Sequence, residues 1–343
     1  MKRYGSIRAC GHHAGSGTLI RSFPERLGGV WSATPTPFTA RLTVDKVAVK
    51  RLVEHHLRLG VRGLFLGGTC GEGPWMPDRE RRTLVQSVVA AARGRLTVAA
   101  QVTDNSAARI LDNMRAAAED GADIAVIAPP YFLLNATPAN VEALYLEAIR
   151  RSPLPVGIYD RGRHAAVAIT TASLARIIAE PKVVLLKDSS ADPVRRQMAL
   201  AARVARPVLC LLNGNEFDCV SYLAAGYDGL LLGGGIFNGR LAGEIVAAVR
   251  AGRLAEARRL QARMNRMMSA VYGGPKIACW MAGLKHLLVE MGIFRTTRGF
   301  LNYPLTPACR RAIARIRIRE AAMLQPAASS KTGRRRTKTK NPK

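Results

Sequence analysis

The sequence predicts an α/β fold, a (β/α)8 TIM barrel with additional C-terminal helices, on three observations. Eight short apolar runs rich in β-branched residues recur along the 343-residue chain at intervals of roughly 20 to 35 residues. Longer amphipathic segments separate them, which is the alternation of parallel βα units. Glycines close several of those segments, as helix C-caps do.

Taken in order, the first strand is expected at "GGVWSAT" near residue 28 and the second at "VRGLFLGG" near 61. Between them, "VDKVAVKRLVEHHLRLG" places Val47, Leu52, Val53, His56 and Leu59 at near-helical spacing, and Gly60 ends the helix. Strand three is "LTVAAQV" near 96; the helix after it starts on Ser106, a residue suited to an N-cap, and stops at Gly121. "ADIAVIAP" near 122, "LPVGIY" near 154, "VVLLK" near 183 and "PVLCLLN" near 207 are strands four to seven. "FDCVSYLAAGYDG" is a helix stopped by Gly226, and "DGLLLGG" near 228 is strand eight. Further helical stretches follow near 254 to 271, 276 to 291 and 307 to 324. The expected organisation is a flexible extension over 1–24, the barrel over 25–250, a helical appendix over 251–325 and a basic disordered tail over 326–343.

Composition bounds the function. A hydrophobic share of 48% suffices for one large core. The six cysteines form no C-x-x-C pair and no regular spacing, so neither a zinc site nor a disulfide framework is expected, and a reducing cytoplasm fits best. The N-terminus lacks the apolar stretch of a secretory signal, and no run reaches the length of a spanning helix. A net charge of +28 invites nucleic acid, yet the arginines are scattered along helical segments. The one dense cluster, "KTGRRRTKTKNPK", has no apolar residue, so weak nonspecific polyanion binding by a solvated tail is the expectation.

Between Arg51 and Pro275 the only lysines are Lys182 and Lys187. In the sixth strand, Val183, Leu185 and Lys187 alternate onto one face while Asp188 turns to the other. Lys187 therefore ends an inward face where barrel active sites lie. An amine held among Val and Leu loses hydration of its charged form, which favours a neutral nucleophile for a carbonyl carbon. A strand-end lysine can also snorkel to water. Tyr159 ends the neighbouring fifth strand within reach of that amine, either as a proton shuttle or as a core phenol satisfied by backbone. After strand two, "GGTCGEGPWM" suits an anion through exposed amides, and equally suits a tight turn. The adjacent histidines His12/His13 and His55/His56 lack the i, i+4 spacing of helical metal ligands and read as surface or packing residues. Glu72 is expected to brace the glycine loop through backbone amides, and Trp75 and Met76 to pack the barrel rim.

Together these signals resemble the dihydrodipicolinate synthase and N-acetylneuraminate lyase family of class I aldolases, over roughly residues 28 to 300. The resemblance lies in "ATPTPF", "GGTCGE", "PPYF", "IYD" and "LLKDSS", and in the 28-residue separation of Tyr159 from Lys187. It implies a homo-oligomeric barrel in which Lys187 forms a Schiff base with pyruvate or a related 2-oxo acid, Tyr159 carries protons and Thr69 relays them. Gly68, Cys70, Gly71, Gly214 and Leu231 would bind substrate, and no metal or organic cofactor is implied.

Departures from the synthase pattern accompany the resemblance. Phe132 stands for a second relay tyrosine, and Cys70 for a threonine. His164 occupies the position of the arginine that greets the second substrate, with Arg163 and Arg161 close by. The sequence thus points to a lyase, aldolase or dehydratase with altered second-substrate specificity. The alternatives are a genuine 4-hydroxy-tetrahydrodipicolinate synthase, or a catalytically impaired 2-oxo-acid-binding or scaffold barrel. "NGNE" at 213–216 and "LLLGGG" at 230–235 also raise a phosphate site after strands seven and eight.

Overall fold

Eight parallel strands close into a barrel in a computed structural model that describes residues 27–326. The expected extension and tail lie outside the described residues but for Pro326, as do Cys10, His12 and His13. The strands are β1 (Gly29–Ala33), β2 (Gly63–Leu66), β3 (Thr97–Gln101), β4 (Ile124–Ile127), β5 (Val156–Asp160), β6 (Val183–Asp188), β7 (Cys210–Asn213) and β8 (Gly229–Leu232). They pair in sequence order, and β8 returns to β1 with Gly29 opposite Gly229. All eight expected strands are present.

The interior is filled by Trp31, Phe65, Ile124, Leu185, Leu212 and Leu231, while a larger apolar layer packs between sheet and helices. Trp31 is fully buried, and it explains Gly63, its register partner on β2. A Cβ on Gly63 would lie 2.3 Å from the indole, so no larger residue fits beside that ring.

Strand β6 departs from simple alternation. Val156 pairs with Val183 and Gly157 with Leu185, so the register skips Val184. Val183 consequently joins the outer layer and Val184 packs against the inner one, correcting the expectation that Val183 shares the face of Leu185 and Lys187. Beyond the irregularity the alternation holds, with Leu185 inside and Leu186 outside.

The outer helices are α1 (Lys46–Arg58), α2 (Asp78–Ala92), α3 (Ala107–Glu119), α4 (Pro138–Arg151), α5 (Thr171–Ala179), α6 (Pro193–Ala205), α7 (Cys219–Ala224) and α8 (Gly235–Arg250). Ser106 caps α3 by accepting from Arg109 N at 3.3 Å. In α1 the buried stripe runs through Val49, Leu52, Val53 and His56, whereas Val47, expected on it, is 53% exposed. At 100° per residue Val47 falls off that stripe.

His55 and His56 are both buried in α1. His55 Nε2 donates to Ile236 O at 2.7 Å and His56 Nδ1 to Leu52 O at 2.8 Å, since a carbonyl only accepts. The other nitrogen of each ring is buried without a partner, and burial lowers His55 to about 4 and His56 to about 3. Above the ordinary histidine value of about 6.5 neither folded nor unfolded chain binds these protons. Below it, the unfolded chain takes them up first, so stability falls with pH by on the order of 3 kcal/mol per ring before the folded values are reached. Denaturant midpoints are expected to drop from pH 7 to pH 4.5, and His56→Leu to flatten that slope. An identical slope in the variant would contradict the assignment.

The appendix comprises α9 (Leu254–Tyr272), α10 (Trp280–Glu290), α11 (Pro307–Arg319) and the short α12 (Ala321–Leu324). Met264, Met267, Met268 and Val271 of α9 are buried, and α9 packs on α8, so these helices cover their own barrel. The segment 292–306 between α10 and α11 crosses back to the barrel mouth. There Arg295 Nε meets Asp45 Oδ2 at 2.5 Å and Phe300 stands edge-on to Phe38 at 5.1 Å. Among the described residues no helix is long and apolar enough to cross a membrane.

Candidate active site

Lys187 and Tyr159 are register partners at the carboxyl ends of β6 and β5. Both side chains enter the barrel, at 5% and 8% exposure. The Lys187 Nζ lies 4.0 Å from the centroid of the Tyr159 ring and 5.1 Å from that of Phe65. Those two rings pack edge to face at 5.8 Å. The amine thus sits over the phenol ring, with the hydroxyl at the edge of that same ring.

Three lysines of this region differ in their partners. Lys182 donates to Arg150 O at 2.9 Å and Ser152 O at 2.6 Å. Lys285 pairs with Glu72 and donates to Arg298 O at 2.7 Å. Lys187 Nζ has neither carboxylate nor carbonyl partner among the described residues, only the faces of aromatic rings. Asp188 points out of the barrel, as expected, and accepts from Ser190 N at 2.9 Å and from Tyr227 Oη at 2.7 Å.

A small cavity of about 30 Å³ opens beside Tyr159, lined also by Thr69, Gln101, Ala128, Tyr131 and Arg161. A far larger cleft of about 890 Å³ lies on the outer wall between α1 and α2, and neither Lys187 nor Tyr159 lines it; Ser87, Ala90 and Ala91 line part of it. Of the two, only the small one is lined by Tyr159 and Thr69 of the barrel mouth; Lys187 lies behind the Tyr159 ring and does not line it. Arg161, partly buried, faces it, whereas Arg163 and His164 sit exposed on the turn Gly162–His164. Tyr131, 39% exposed, supplies a hydroxyl held by Gln101. Phe132, at the position expected to carry the second tyrosine, is 63% exposed. Sequence reasoning missed Tyr131 although "PPYF" displayed it one place earlier.

The loop after β2 brings Thr69 to the cavity and buries Cys70, whose thiol is pushed up to about 12 chiefly by burial. The turn is closed by the amides of Glu72, to Thr69 O at 3.2 Å, and Gly73, to Gly68 O at 3.4 Å, so the amides of Thr69, Cys70 and Gly71 are not used in closing it. Glu72 does not brace its own loop as expected: its carboxylate accepts from Phe300 N at 2.5 Å and Leu301 N at 3.2 Å. The segment 292–306 has come close enough to claim it. Across the mouth, a Cβ on Gly214 would lie 3.0 Å from Lys187 Cε and 2.0 Å from Ser189 Oγ, so only glycine fits beside the amine. Leu231 is buried in the barrel interior.

The phosphate site weighed after strands seven and eight is already taken. Gly234 N donates to Glu216 Oε2 at 2.7 Å, and Tyr272 Oη to Glu216 Oε1 at 3.0 Å. A buried carboxylate in that place repels a phosphate.

The whole of the barrel and most of the appendix, residues 26–315, match the Dihydrodipicolinate synthetase family. The chain belongs to that family. The N-acetylneuraminate lyase of Rhizobium meliloti is 32% identical over 272 residues, covering 78% of this chain and 87% of its own. The 4-hydroxy-tetrahydrodipicolinate synthase of Kineococcus radiotolerans is 33% identical over 238 residues, covering 69% and 75%. The solved structure of a monomeric dihydrodipicolinate synthase variant shares the fold, with a TM-score of 0.78 at 23% identity over 89% of this chain and all of that one. As a member of the dihydrodipicolinate synthetase family, the chain is a lyase of the class I aldolase type.

Proposed function

We propose that the barrel mouth forms a Schiff base with pyruvate or a related 2-oxo acid and uses it for aldol cleavage, condensation or dehydration with a second substrate other than that of the synthase. The observation that carries the reading is the Lys187 amine, nearly dry, in direct contact with no carboxylate among the described residues, within the field of the buried Glu216, and set against the Tyr159 ring. The neutral amine adds to the ketone carbon. The carbinolamine hydroxyl then takes a proton and leaves as water, giving an iminium. Its C=N bond accepts the electron pair released when a C3 proton or a C–C bond is broken. Tyr159 moves the proton to the departing hydroxyl, with Thr69 as relay.

The substrate carboxylate is received by the amides around Gly68, Cys70 and Gly71, with Gly214 and Leu231 closing the opposite side. Arg161, which lines the cavity, is the guanidinium suited to an acidic second substrate, with Arg163 and His164 at the outer rim. The Tyr131 hydroxyl in the cavity favours a second reading, a genuine 4-hydroxy-tetrahydrodipicolinate synthase, because it offers a second phenol. Turnover of aspartate semialdehyde separates the two. Exposed apolar side chains after β4 and along α6, among them Phe132, Leu134, Val194 and Val204, support a homo-oligomer. The five described cysteines are all unbonded, which supports a cytoplasmic setting.

Intact-mass spectrometry after borohydride reduction with a panel of 2-oxo acids tests the reading; no adduct with any of them would refute it. Tyr159→Phe is expected to lower kcat by about 10²–10⁴-fold while leaving a slowly formed adduct. Arg161→Ala should raise the KM for the second substrate alone.

A further inference from the structure

Two cysteines far apart in sequence meet in the appendix. Cys279 precedes α10 and Cys309 lies in the first turn of α11, both buried at 1% and 3% exposure. The Thr306 hydroxyl joins them, 3.7 Å from Cys279 Sγ and accepting from Cys309 N at 3.2 Å. Each thiol lies within the other's electrostatic reach, and Cys309 Sγ donates to Ala270 O and Val271 O, each at 3.5 Å. We infer that Cys279 and Cys309 form a thiol modification site that reacts with a low-molecular-weight disulfide and closes to an intramolecular disulfide.

The environments of the two sulfurs assign their roles. Cys279 stands at the N-terminus of an 11-residue helix, where the macrodipole favours a thiolate. Burial opposes ionisation, but hydrogen bonds from the Thr306 backbone and hydroxyl, with the Cys309 thiol close by, bring Cys279 below the usual thiol range. Cys309 is pushed up to about 12, first by burial and then by its neighbour. Cys279 is thus the attacking sulfur and Cys309 the resolving one.

Access runs past residues 273–278, whose segment from Pro275 to Ala278 is exposed and in which Ile277 holds a left-handed φ of 46°. That conformation is strained for a β-branched residue.

The Cys279 thiolate attacks one sulfur of an oxidant such as glutathione disulfide, releasing one glutathione thiolate and leaving a mixed disulfide. Cys309, giving up its proton to solvent, attacks the Cys279 sulfur and expels the second glutathione. The protein thereby loses two hydrogens, and the oxidant is reduced to two thiols. The new bond would tie α10 to α11 and close the loop holding Lys285 and the Phe300–Leu301 amides that grip Glu72.

Full-length folded protein treated with excess glutathione disulfide and mapped by peptide mass spectrometry is the test. Expected are a Cys279–Cys309 cross-linked peptide, reversed by dithiothreitol, and a raised thermal midpoint. Cys309→Ser should stop the reaction at a glutathione adduct on Cys279, and Cys279→Ser should give neither product. A cross-link formed only in denaturant, or glutathione adducts confined to Cys10, Cys70, Cys210 or Cys219, would overturn the inference.

Discussion

Lys187→Ala is expected to reduce turnover of any 2-oxo acid to background and to abolish the borohydride-trapped adduct, while the protein folds as before. The second point separates chemistry from stability. Lys187 Nζ makes no ion pair or hydrogen bond with a described residue, so its removal breaks no polar network, and Leu185, Phe65 and Tyr159 still fill the barrel around it. Lys187→Arg serves as the stricter control, because a guanidinium keeps the charge and cannot form an imine. The measurement is intact mass with pyruvate and borohydride, run beside a thermal melt. An adduct that persists in either variant would place the reactive amine elsewhere, with Lys285 the first residue to search.

The second large effect concerns stability. Lys285 and Glu72 are a buried pair at 2% and 1% side-chain exposure, and burial pulls the Lys285 amine below its ordinary value against the attraction of Glu72. Removing one partner leaves the other charge buried alone, at a cost of about 3–5 kcal/mol. Glu72→Ala and Lys285→Met should each lower the thermal midpoint by several degrees or more. Glu72→Ala also releases the Phe300 and Leu301 amides and loosens the loop that carries Thr69. The double variant Glu72→Leu/Lys285→Met should recover much of the loss, since neither charge is then stranded. Single variants that melt like the parent would show that the pair is hydrated in solution.

Glu72 also illustrates where reading a sequence stops. Its carboxylate could be expected to seek amides, but those it found lie more than 200 residues onward, on a segment with no periodicity to announce its path. Arg161, Arg163 and His164 are adjacent in sequence and interchangeable on paper; the short turn after β5 aims the first into the cavity and the other two outward. The loop after β4 likewise brings Tyr131 to the cavity and leaves Phe132 exposed. The irregularity in β6 inverted Val183 and Val184 yet left Lys187 where alternation put it, because the register recovers before the strand ends.

Repeating strand and helix periods and glycine stops were enough to specify the barrel and to set Tyr159 and Lys187 at its mouth, since each rests on local geometry that neighbours in sequence enforce; the family was legible only through the resemblance of short motifs such as "GGTCGE" and "LLKDSS". Tertiary structure alone decided which loop side chains enter the cavity, that a distant strap holds Glu72 with Lys285, and that Cys279 meets Cys309. Those are long-range contacts, fixed by how helices and strap pack on the closed barrel, and no local pattern encodes them.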